Sequence, residues 1–120
     1  MGKRGRRQGK LTAPSSDYAD EQGNTLTLRG SLTPGSRADY ARVLAGVDGR
    51  ASATREDAWQ RAVELLFERL ALRWVIAGVP LEAQHELLAR FRMASPQERA
   101  AVREALREHC AEHFPDVQAP

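Results

Sequence analysis

The residues with the most specific chemistry stand together near the end of the sequence, where His109-Cys110-Ala111-Glu112-His113 matches H-x-x-E-H. On a helix that spacing puts two imidazoles one turn apart with a carboxylate between them, an arrangement able to hold zinc and activate water. Such a site also needs a further ligand and a walled cleft. Seven residues follow His113, and the nearest acid among them is Asp116. Val102, Leu106, His109 and His113 fall nearly on one helical face, so the histidines extend an apolar stripe. They are expected to pack at the core edge and to favour the helix C-terminus by partial positive charge. No metal and no cofactor is expected. Cys110 diverges from its histidine neighbours by about 100° around a helix and has no third group to activate it, so it reads as a small buried thiol.

Other catalytic patterns fail on their own residues. His85-Glu86-Leu87-Leu88-Ala89 has alanine where a second zinc-binding histidine would stand. The sequence has no glycine-rich phosphate loop, no G-x-S-x-G elbow and no C-x-x-C pair, and Asp20 to Asn24 lacks the alternating ligands of a calcium loop. The chain is therefore read as not an enzyme.

Charge is more informative. The net charge of +2 conceals a first decade carrying Lys3, Arg4, Arg6, Arg7 and Lys10 with no acid, which leaves a body of about −3 from residue 11 onward. Five bases on a glycine-spaced segment suit non-specific pairing with nucleic-acid phosphates, and the absence of interleaved aromatics argues against base stacking. A solubilising tail accounts for the same residues. A helix-turn-helix reading of residues 81 to 113, with Gln97, Arg99, Arg103 and Arg107 towards a groove, is opposed by Glu98, Glu104 and Glu108 among them. An ordinary helical hairpin fits better.

With 120 residues the chain holds one compact domain. Residues 1–16 read as a disordered basic arm and 17–120 as the domain. Thr25, Thr27 and Arg29 alternate with Leu26 and Leu28 after a Gly-Asn turn, which predicts a short β-hairpin whose leucines lie on helices. Thr33-Pro34 opens a helix that Gly46 ends. Thr54 opens a second, in which Trp59, Val63, Leu66, Phe67, Leu70, Trp74 and Ala77 form one stripe until Gly78 and Pro80 stop it. A third runs from about Leu81 to Met93. Ser95-Pro96-Gln97-Glu98 is a capping box that starts the fourth, which stops near Phe114-Pro115.

The expectation is a mostly α fold: a small helical domain of about four helices, preceded by a short β-hairpin and a disordered basic arm. On the second helix the polar face gives way to Leu72, Val75 and Ile76, flanked by Leu65, so these four residues form a candidate partner face. The functional expectation is a small non-catalytic binding protein that contacts a protein partner, its own copy included, through a helix face, with the arm adding non-specific nucleic-acid affinity. The alternative is a nucleic-acid-binding accessory or regulatory protein using the arm and the helical hairpin. One cysteine excludes an internal disulfide, no apolar run follows the basic start as in a signal peptide, and no stretch approaches the roughly 20 apolar residues of a membrane span. A cytoplasmic protein without membrane contact is expected.

Overall fold

The computed structural model describes residues 14–46 and 55–120. Strands β1 (Ser15–Ala19) and β2 (Thr25–Arg29) are followed by helices α1 (Pro34–Leu44) and α2 (Arg55–Leu70). Strands β3 (Ala71–Ile76) and β4 (Val79–Leu81) come next, and helices α3 (Gln84–Arg92) and α4 (Pro96–His113) complete the order. All neighbouring strands are antiparallel, in the order β1-β2-β3-β4. The fold is α+β.

The expected mostly α class is thereby corrected. The long helix drawn through Ala77 ends at Leu70, and a second hairpin takes over from residue 71. Both periods fit residues 70 to 76: Leu70 and Trp74 are one helical turn apart, yet Trp74 and Ile76 also alternate with Arg73 and Val75 as in a strand. Tertiary pairing decides between them, since β3 lies between two partners, with Leu26 opposite Trp74 and Val75 opposite Pro80. At the switch, Gln84 Nε2 donates to the Glu68 carbonyl at 2.9 Å, satisfying one of the oxygens that a helix end exposes. Gly78 and Pro80 mark a turn and an edge strand. Ala77 and Gly78 both have positive φ, 51° and 80°, as the tight I′ hairpin turn requires. Alanine is strained there, so Ala77→Asn is expected to stabilise the protein by about 0.5–1 kcal/mol, read as a rise in thermal midpoint.

The third helix starts at Gln84 rather than near Leu81, which belongs to β4 and pairs with Trp74, and the remaining element predictions fare better. The first hairpin forms, with β1 beginning at Ser15, so residues 15 and 16, placed in the arm, belong to the sheet. Leu26 and Leu28 are buried, as expected. The Thr33 side chain caps α1, and Ser95 and Glu98 form the reciprocal capping box of α4. Residues 1–13 and 47–54 lie outside the described residues, so the basic arm and the Thr54 cap do too.

One core unites the layers. Phe67 stacks on Phe91 at 4.7 Å and meets Trp74 edge-on at 5.6 Å, with Leu28, Leu66, Leu70, Leu87 and Leu106 packed around them. Trp59, assigned to the stripe, is instead 46 % exposed, and Ala77 is exposed in its turn. After α4 the chain returns over α1: Phe114 and Val117 are buried, Arg37 pairs with Asp116, and the Tyr40 hydroxyl donates to the Gln118 carbonyl. Among the described residues no helix is long and apolar enough to cross a membrane.

Candidate peptide-binding cleft

Between the edge strand β1 and helix α4 lies a cleft of about 830 Å³. Short side chains create it. Ala100, Ala101 and Ala105 give the helix wall only short side chains, so nothing bulky from that wall fills the space above Leu26, Trp74 and Val102. At one end Gln22 Nε2 donates to Gln97 Oε1 at 3.0 Å. Tyr18, which also lines the cleft, ties β1 to α4 through His109. The cleft thus has an apolar base between two fixed walls.

Among the described residues its charged lining is wholly acidic, with Asp17, Asp20 and Glu21 from the hairpin and Glu104 and Glu108 from α4, and includes no lysine or arginine. Some of these carboxylates also organise the walls. Asp20 Oδ1 accepts from the Gln22 and Asn24 amides at 2.8 and 2.9 Å, which holds the hairpin turn. Asp17 accepts from the Thr27 hydroxyl at 2.7 Å, and Glu104 pairs with Arg107. The rim still presents a field of one sign over an apolar base, which attracts cationic groups carried on aliphatic stems.

The histidine motif is used for architecture. His109 is fully buried, with Nε2 2.8 Å from the Arg29 carbonyl and Nδ1 2.8 Å from the Tyr18 hydroxyl. A carbonyl can only accept, so Nε2 carries the proton, and the Tyr18 hydroxyl donates to Nδ1 of the neutral ring. Burial pushes the His109 pKa below its ordinary value, reinforced by His113, whose ring lies 4.4 Å away, against opposing influences from the Arg29 carbonyl and Glu112. A zinc ion would have to displace one of the two partners. Among the described residues no group of three metal-binding side chains converges.

His113 Nε2 lies 3.3 Å from Ser16 Oγ, but its contact with Glu112, at 3.9 Å, involves the same nitrogen. The carboxylate therefore cannot orient the ring from behind, as a nucleophilic triad demands. Cys110 is buried, and burial raises its thiol to about 11, so it is held as a neutral thiol at ordinary pH.

The four candidate partner residues are dispersed by the β3 correction. Leu65 on α2 and Ile76 on β3 pack against the core, while Leu72 and Val75 on β3 are half-buried outside it. Leu72 sits where the register shifts between β2 and β3. The bases Lys3, Arg4, Arg6, Arg7 and Lys10 fall outside the described residues. Two of the three arginines offered to a nucleic-acid groove have partners within the fold: Arg99 donates to the Arg92 and Ala94 carbonyls, and Arg107 to Glu104 and the Pro120 carbonyl. Sequence reasoning missed the cleft because its floor depends on β3. A visible trace remains in Ala100, Ala101 and Ala105 on one helix beside Glu104 and Glu108.

Comparison of the chain with protein-family models, with curated proteins and with solved structures finds no match.

Proposed function

We propose that this protein is a small non-catalytic binding protein whose β1–α4 cleft receives an extended, basic segment of a protein partner. The observation that carries the reading is the combination of an apolar base with a lining whose charges are all negative. Arginine and lysine side chains satisfy both features, because their methylene stems lie on alanine, leucine and tryptophan surface while their heads reach the carboxylates. Polyanionic nucleic acid is repelled by the same rim, so the cleft favours a protein ligand over the nucleic-acid alternative.

A dye-labelled ten-residue peptide alternating arginine and valine provides the test, with a glutamate–valine peptide as control. Both are titrated by fluorescence anisotropy against the full chain and against a variant whose bases at 3, 4, 6, 7 and 10 are glutamine. Saturable binding of the basic peptide alone is expected, weakened at least about tenfold by Glu104→Arg with Glu108→Arg. Equal binding of both peptides, or affinity indifferent to the two reversals, overturns the reading.

A further inference from the structure

The cleft runs beside a sheet edge whose hydrogen-bonding direction is set by the register. Gly30 donates its amide to the Pro14 carbonyl at 2.6 Å, and Asp20 donates to the Asn24 carbonyl at 2.9 Å. Antiparallel pairs alternate between bonded and non-bonded, so with 14/30 and 20/24 bonded the pairs Ser15/Arg29, Asp17/Thr27 and Ala19/Thr25 are the non-bonded ones. The backbone N–H and C=O groups of Ser15, Asp17 and Ala19 therefore point away from β2. Among the described residues no strand pairs with that side of β1.

The two edges of the sheet differ. β4 has three residues and contains Pro80, which blunts it against further pairing. β1 has five residues and no proline, and its one charge, Asp17, disfavours an acidic neighbour and selects a basic one. Strand addition here would lay a chain outside β1, at the mouth of the cleft, its backbone on β1 and alternate side chains turned towards the acidic rim.

We infer that the resident occupant of this edge is the chain's own basic segment around Lys3–Lys10, added in cis beside β1. The inference rests on the reading of the cleft as a peptide site and names its occupant. Charge matches: five bases with no acid in residues 1–10, against the acidic lining of the cleft. Length suffices, since thirteen extended residues reach about 43 Å and the five-residue β1 spans about 17 Å. Connection favours it as well, because the segment leads directly into β1 and so meets the cleft at the high effective concentration of a short tether. Glycines at 2, 5 and 9 leave room for close approach to the edge. An external basic partner then enters by displacing the segment, which makes it a built-in competitor.

The sequence supplies a selective readout, because Lys3 and Lys10 are its only lysines. The full chain is treated with a water-soluble carbodiimide, which joins a lysine amine to a carboxylate in direct contact, and the monomer fraction is digested and read by mass spectrometry. Amide links from Lys3 or Lys10 to Glu21, Glu104 or Glu108 are expected, at least about fivefold fewer in 0.5 M salt, where exposed charge pairs are screened. Links scattered over all surface carboxylates, links confined to covalent dimers, or no links at all overturn cis docking. A cross-linking failure alongside successful peptide binding would leave the cleft a partner site and remove only its internal occupant. The paired variant Glu104→Gln with Glu108→Gln, both at exposed positions, is expected to shift the surviving links towards Glu21 with unchanged circular dichroism. An unchanged link pattern including other surface acids counts against the proposal.

Discussion

Replacing Trp74 with alanine is expected to remove about 3–5 kcal/mol of stability, a large part of the roughly 5–15 kcal/mol that holds such a domain together. Trp74 is 2 % exposed, meets Phe67 edge-on, lies beneath the Arg90 guanidinium at 5.6 Å and underlies the cleft. Its removal leaves a cavity at the junction of sheet and helices. The neighbouring substitution Leu72→Glu should cost about 1 kcal/mol or less, because Leu72 sits half-buried at a register shift outside the core. Chemical denaturation of the two variants checks the contrast. Comparable losses at both positions would contradict the irregularity at Leu72, since strict alternation would put residues 72 and 74 on one face and only the register shift between β2 and β3 turns Leu72 out of the core.

The second large effect centres on His109. His109→Ala is expected to destabilise by about 2–4 kcal/mol, since it empties a buried site and strips partners from the Arg29 carbonyl and the Tyr18 hydroxyl. His113→Ala should lose less than about 1 kcal/mol, its ring being part-exposed and 3.3 Å from a serine. The pH dependence has a definite sign. Burial depresses the His109 pKa, so below the ordinary value of 6.5 the unfolded chain binds a proton that the folded one refuses. Stability is therefore full above about pH 6.5 and falls as the pH drops from there towards the folded pKa, with a slope of at most about 1.4 kcal/mol per pH unit from this one group. The groups facing it are Tyr18, the Arg29 carbonyl, His113 and Glu112. Thermal melts between pH 5 and 8 should show that slope in the parent and its loss in His109→Leu. A slope that persists in the variant assigns the effect to other groups.

Those two positions also show how much was legible in the residues themselves. Local signals with a single physical solution were readable: proline after a capping threonine or serine, the reciprocal Ser95–Glu98 box, and the alternation of Leu26 and Leu28. The Val102–Leu106 stripe put His109 only at the core edge with partial positive charge, whereas it is fully buried and held neutral, because the Arg29 carbonyl and the Tyr18 hydroxyl satisfy both ring nitrogens. Residues 70 to 76 were different, because helical and strand periods overlap there and only the ladder to β2, distant in sequence, chooses between them. That one misreading removed half the sheet, joined Leu72, Val75 and Ile76 to Leu65 on a helix that stops at Leu70, and hid the floor of the cleft. The return of Phe114 and Val117 over α1 was equally invisible, since a short tail carries no period to read.

The seam between β2 and β3 separates two hairpins, each built from neighbouring residues, 15–29 and 71–81. Joining Leu28 to Ala71 closes a loop of roughly forty residues that contains α1 and α2, whereas each hairpin closes over only a few. Hairpins form in about 1–10 μs, so the seam is the slow, late partner in assembly. Substitutions in the Ala77–Gly78 turn should then act mainly on the folding rate if that hairpin templates the sheet. Substitutions across the seam, such as Thr27→Ala opposite Arg73, should act mainly on the rate of unfolding. The seam, rather than either hairpin turn, is where the sheet is expected to part first.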